Sequence, residues 1–185
     1  MAADITRRGF AAFVGFGAAL GWRGSSAVPV ALAREAPADI DPAGYLVSEK
    51  FDGVRAVWDG RELRFRSGLP VAAPRWFTDA LPELALDGEL WLGRGRFEPL
   101  AALARRREPV DTEWRVVRYM VFELPDSAGG FEQRAKRIEA VVAGSGHPQL
   151  HAVEQQRLAD RAALRRRLDE VVAAGGEGLM LHRAD

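Results

Sequence analysis

Lys50 sits in the stretch SEKFDGVRAVWDG at positions 48–60, followed within three residues by Asp52 and Gly53 and within five by Arg55. Side chains alternate along a strand, so Ser48, Lys50 and Asp52 share one face while Glu49 and Phe51 take the other. A lysine attacks an electrophile only as the free amine, which requires its pKa to be drawn down from about 10.4 by burial or by neighbouring cations. Arg55 or a bound metal ion could supply that bias, with Asp52 and Gly53 shaping the turn. Taken alone, K-x-D-G is short enough to recur by chance, and a lysine at a sheet edge is the plainer reading.

Three further segments bear on the choice. Leu86-Asp87-Gly88-Glu89-Leu90 places Glu89 in an apolar strand, Phe122-Glu123-Leu124-Pro125 ends another strand with an aromatic, and Glu177-Gly178-Leu179-Met180-Leu181 opens a third with a second carboxylate. Charged groups in apolar surroundings are costly unless they are paired or serve a common ligand. Glu89 and Glu177 suit a hard divalent cation, whose partners are carboxylate and phosphate oxygens. Phe122 offers a face on which a base can stack. Ion-paired glutamates and a core phenylalanine remain open alternatives. His147, His151 and His182 show no metal-ligand spacing and are read as bystanders.

The elements that must position these residues can be read from alternation and turn residues. Tyr45-Leu46-Val47 leads into Lys50, Val54 to Trp58 alternates, Asp59-Gly60 predicts a two-residue hairpin, and Leu63 to Arg66 alternates back. Strands are predicted over Leu84 to Leu92, Val116 to Leu124, Leu150 to Val153 and EGLMLH from Glu177, and helices over Pro99 to Arg107, Phe131 to Ala143 and Asp160 to Ala174. In the last helix Leu164, Leu168 and Val171 fall on one face, Asp160 serves as N-cap and Gly175-Gly176 ends it. The early hairpins argue for mostly antiparallel sheets with packed helices, hence an α+β fold.

The 185 residues carry 26 basic and 26 acidic side chains and are 48% hydrophobic, the composition of an ordinary globular domain. Zero formal net charge gives no global attraction to nucleic acid, so such binding would rest on local clusters such as Arg105-Arg106-Arg107 or Arg165-Arg166-Arg167. Near the N-terminus, Thr6-Arg7-Arg8-Gly9-Phe10 precedes an uncharged run to Trp22 and then small residues ending Ala31-Leu32-Ala33. That is the outline of a twin-arginine export signal, with removal expected after about Ala33. The expected organisation is thus a leader over 1–33 and one domain over 34–185. The absence of cysteine agrees with an oxidising compartment, and the expected location is the periplasm, with no lasting membrane association after cleavage.

In order and spacing, EKFDGVR, FRSG, LDGEL, FELP and EGLML resemble the motifs of the covalent nucleotidyltransferase superfamily, and specifically ATP-dependent DNA ligases of the small secreted bacterial kind. Five motifs in order are far more specific than any one. The resemblance runs from about Tyr45 to the last residue. It implies a nucleotidyltransferase domain whose Lys50 attacks the α-phosphate of ATP with Mg²⁺, giving a lysyl-AMP that passes to the 5′-phosphate of nicked double-stranded DNA. It implies Asp52, Gly53, Arg55, Glu89 and Phe122 at the nucleotide, Phe122 stacking on adenine, Arg66 and Ser67 at nucleotide or DNA phosphate, and Glu89 and Glu177 at the metal. It also implies roles in DNA repair, replication and recombination, and a monomer. An RNA ligase or capping-type nucleotidyltransferase shares K-x-D-G chemistry, and a non-catalytic nucleotide- or DNA-binding relic is the other alternative.

Two departures qualify the match. Many ligases carry a glutamate two residues before the nucleophile that helps read adenine, and Ser48 stands there. The family also follows the EGLML segment with a K-x-K motif and an OB-fold domain, which His182-Arg183-Ala184-Asp185 does not contain. The chain is therefore expected to be an adenylation domain cut short before both, with the EGLML strand left as an exposed edge.

Overall fold

The structure, a computed structural model, describes residues 2–6, 33–37 and 39–185. Among the described residues, nine strands form two sheets. The first contains β1 (Ala2–Thr6), β2 (Arg34–Glu35), β3 (Tyr45–Lys50) and β9 (Gly178–Arg183), in the order β2-β1-β9-β3. The second contains β4 (Val54–Trp58), β5 (Leu63–Phe65), β6 (Leu86–Trp91), β7 (Arg118–Glu123) and β8 (Leu150–Ala152), in the order β5-β4-β6-β7-β8. Helices α1 (Arg75–Thr78), α2 (Phe97–Ala104), α3 (Asp111–Trp114), α4 (Phe131–Ser145) and α5 (Arg161–Ala173) complete the fold. The α+β class expected from the hairpins is the class observed.

Alternation explains how the sheets divide their side chains. On the second sheet Ala56, Trp58, Leu86, Leu90, Tyr119 and Val121 enter the main core, where Phe77, Leu100, Trp114 and Val117 from helices and loops close over them. Their neighbours Arg55, Asp87, Glu89 and Phe122 therefore project from the opposite face. On the first sheet Val47, Leu179 and Leu181 pack against Leu164 and Val171 of α5. That leaves Ser48, Lys50, Met180 and His182 on the other side. The two polar faces meet in one cleft, which is the consequence of a period-two pattern applied twice.

The glycine of LDGEL has a packing reason. A Cβ on Gly88 would come 2.5 Å from the Met120 carbonyl oxygen and 2.8 Å from Cε2 of Tyr119. The Tyr119 ring crosses the sheet at that point, and its buried hydroxyl lies 2.9 Å from the Ala56 carbonyl and 3.0 Å from that of Leu86.

Two expectations need correction. Asp59-Gly60 is not a two-residue hairpin, because Trp58 pairs with Leu63 and four residues turn between them. Asp59 Oδ1 accepts from the backbone N–H groups of Arg61 (2.9 Å) and Glu62 (2.8 Å), an Asx turn that widens the loop. The EGLML strand is not an edge: β9 pairs antiparallel with β3 on one side and with β1 on the other. Pairing is mostly antiparallel, as expected; β7 and β8 run parallel with α4 between them in sequence, and β1 and β2 are also parallel. Of the expected leader, Ala2–Thr6 is a strand of the first sheet and residues 7–32 lie outside the described residues. No helix among the described residues is long and apolar enough to cross a membrane.

Candidate active site

Between the two sheets lies a cavity of about 330 Å³, within the range of small-molecule sites. Its walls include Lys50, Asp52, Gly53, Arg55, Arg66, Glu89, Phe122 and Glu177, so all but one of the residues singled out in the sequence converge there. Ser67 is the exception; it is exposed and does not line the cavity. Asp52 and Arg66 also belong to the exposed rim.

Lys50 ends β3 and is one-quarter exposed, its Nζ 2.7 Å from Oε1 of Glu177 and 2.8 Å from Oδ2 of Asp4. Burial pulls its pKa down, but the hydrogen bonds and charges of Asp4 and Glu177 outweigh that and leave it raised. The sequence led us to expect the opposite bias, from Arg55. That arginine is committed elsewhere: its Nε lies 3.0 Å from Oδ1 of Asp87 and its Nη2 2.6 Å from Oδ2, a bidentate fork. The fork also sets the guanidinium over the Phe122 ring, 5.3 Å from its centroid.

Asp87 is 1% exposed, and burial pushes its pKa up while Arg55 draws it only partly back. Glu89, paired with Arg55 across β4 and β6, is pushed up to about 8 by burial; Arg55 opposes the shift, and Asp87, Glu177 and Asp52 add to it. A carboxyl held in its neutral form this close to other carboxylates marks a place where a cation or a hydrogen-bond donor would be welcome. Among the described residues no group of three or more His, Asp or Glu has metal-binding geometry. Glu89 and Glu177 face one cavity, and the charge of Glu177 adds to the upward push on Glu89. That suits Mg²⁺, which keeps several waters and takes one or two carboxylates together with substrate phosphates.

The glycine of K-x-D-G has a packing reason in this chain. A Cβ there would stand 2.2 Å from the Leu90 carbonyl oxygen and 2.7 Å from Cγ of Glu89, so the strand carrying Glu89 lies directly on the Gly53 backbone.

Sequence reasoning missed Asp4, Asp87, Met180 and His182, of which the last three line the cavity. Asp87 was within reach, since it lies two residues from Glu89 and must share its face. Asp4 was not, because nothing local announces that a strand at the N-terminus pairs with β9.

The arrangement is a lysine amine, two cavity-facing glutamates, one in β6 and one just before β9, and an aromatic face, opening on a common space. A solved Lig E DNA ligase, studied for DNA binding with a minimal scaffold, superposes with a TM-score of 0.74 at 39% identity, over 80% of this chain and 58% of that one. The fold is the nucleotidyltransferase domain of the ATP-dependent DNA ligases. Chlorella virus DNA ligase-adenylate shares the domain's fold, with a TM-score of 0.63 at 18% identity over 76% of this chain and 55% of that one. The curated DNA ligase of Haemophilus influenzae is 30% identical to this chain over 138 residues, 75% of this chain and 51% of the relative. The chain thus spans about half the length of that curated relative. No family model matches the chain.

Proposed function

We propose that this domain carries out the nucleotidyl-transfer chemistry of an ATP-dependent DNA ligase. The Lys50 amine attacks the α-phosphorus of ATP, an N–P bond forms, the α–β phosphoanhydride bond breaks, and pyrophosphate leaves with its electron pair. The adenylate then passes to the 5′-phosphate of a nick in double-stranded DNA, and a 3′-hydroxyl displaces AMP. The observation that carries the reading is the convergence of Lys50, Arg55, Glu89, Phe122 and Glu177 on one cavity of about 330 Å³.

Each residue has a part that its environment supports. Glu177, 2.7 Å from Nζ, orients the amine and can take up its proton. Arg55, fixed by Asp87, keeps its charge beside the ring of Phe122, on which a purine would stack. Glu89 and Glu177 would hold Mg²⁺, which when bound supplies charge neutralisation at the phosphates. Arg66 on the rim suits phosphate contact, for which the guanidinium fork is well shaped. Export by the twin-arginine pathway to the periplasm, a monomeric state and a role in repair of DNA belong to the same proposal, on the strength of the N-terminal pattern and the resemblance.

The test is covalent labelling. The purified chain incubated with α-³²P-ATP and Mg²⁺ acquires a label that survives denaturing electrophoresis, and Lys50→Ala abolishes it. Absence of label with Mg²⁺ or Mn²⁺ overturns the reading.

A further inference from the structure

Moving away from Lys50 along the cavity face of the first sheet, the register pairs Lys50 with Gly178, Ser48 with Met180, and Leu46 with His182. Four residues of extended chain cover roughly 13 Å. His182 therefore stands at the end of the cavity away from the nucleophile.

Four observations single it out. The imidazole lines the cavity. One of its faces is covered by Phe131, the two rings 4.2 Å apart and 18° from parallel, which fixes the ring plane. Its Nδ1 is buried with no hydrogen-bond partner among the described residues, and such an orphan in a native fold calls for a reason. Burial lowers its pKa to about 4, so the ring is neutral and one nitrogen carries a lone pair.

Its neighbours are otherwise engaged or too short. The Glu123 carboxylate receives Nε and Nη2 of Arg134 at 2.7 and 2.9 Å and the Leu124 N–H at 2.8 Å. Ser48, 3% exposed, occupies the position where the resembling ligases place a base-reading glutamate, and its short side chain cannot extend as a glutamate does.

Resting on the reading of this cavity as an ATP site, we propose that His182 accepts a hydrogen bond from the exocyclic amine of adenine and so sets the preference for that base. The role passes from the strand of the nucleophile to the strand beside it. His182 is a specificity-determining residue in this assignment, remote from the reacting phosphorus.

The experiment compares lysine labelling by ATP and by purine riboside 5′-triphosphate, which lacks the exocyclic amine, in the wild-type chain and in His182→Phe. Phenylalanine keeps the stack on Phe131 and removes both nitrogens. Wild type should favour ATP by about ten-fold in KM, the effect of one hydrogen bond, with equal maximal rates. His182→Phe should bring the two nucleotides within about two-fold by weakening ATP alone. Labelling with wild-type discrimination in His182→Phe overturns the assignment and leaves the ligase reading intact. A wild-type chain labelled by neither nucleotide removes that reading and this one with it. Should His182→Phe fail to fold, His182→Gln, which keeps an acceptor, must retain the preference and His182→Leu must lose it.

Discussion

Nζ of Lys50 lies 2.8 Å from Oδ2 of Asp4, across 46 residues of sequence and from a strand that reaches the site only by pairing with β9. The expected nucleophile is thus held as an ammonium by two carboxylates, Asp4 and Glu177. Free amine appears only as pH rises through the raised Lys50 pKa, so labelling should climb with pH across the alkaline range. In the full-length chain, which keeps residues 1–33, Asp4→Asn removes one of the two carboxylates and moves that limb to lower pH, raising the labelling rate at pH 7.5 several-fold. A pH–rate profile of the two proteins checks this.

Asp87 is the buried half of the Arg55 fork, and deleting it strands a guanidinium. Asp87→Ala should cost about 3–5 kcal/mol, the usual penalty for breaking a buried ion pair by removing one partner. At about 2–4 °C per kcal/mol for a chain of this size, melting should fall by roughly 10 °C. KM for ATP should rise as well, because Arg55 loses its seat over Phe122. Thermal unfolding and labelling kinetics measure both.

Glu89 carries a folded-state pKa of about 8, above the ordinary carboxyl value of 4.5. The folded chain then binds more protons at this site than the unfolded chain between those limits, so its contribution to stability falls as pH rises from about 4.5 to 8. Glu89→Gln should remove that decline and be the more stable protein at pH 8, by about 2 kcal/mol or more, while losing labelling activity. Denaturant titrations at pH 5 and pH 8 decide it.

Gly53→Ala places a methyl group where the Leu90 carbonyl oxygen and Glu89 Cγ already stand. The contact is with backbone, so β6 must retreat and take Glu89 with it. Labelling should drop by at least about 10²-fold, the scale of a misplacement of about 1 Å in an active site. Single-turnover labelling, with circular dichroism to confirm the fold, is the measurement.

Much of the site was legible in the sequence because strand alternation is a strong constraint. Once Lys50, Glu89, Phe122 and Glu177 were placed on strands with a known buried face, their common direction followed. The α5 helix was equally readable: Asp160 accepts from the Ala163 N–H at 2.7 Å, and Leu164 and Val171 face the core. What escaped was long-range pairing. The short helices Arg75–Thr78 and Asp111–Trp114 have too few turns to show a period, and the β1–β9 register is set by a contact between the two ends of the chain. The charge environment of Lys50 escaped for the same reason, because the strand at residues 2–6 brings an acid that no local pattern announces. His182 was set aside for lacking metal-ligand spacing, a criterion blind to a lone imidazole whose importance lies in an unanswered nitrogen.

The position of β9 between β1 and β3 gives the site a built-in reporter. Its amides point alternately to the two neighbours, so one set is shielded from solvent deuterium by the strand of the nucleophile and the other by residues 2–6. Detachment of the N-terminal strand would therefore quicken isotope uptake at every second amide of β9 and leave the intervening ones slow, a comb-like trace distinguishable from unfolding, in which all of them exchange together.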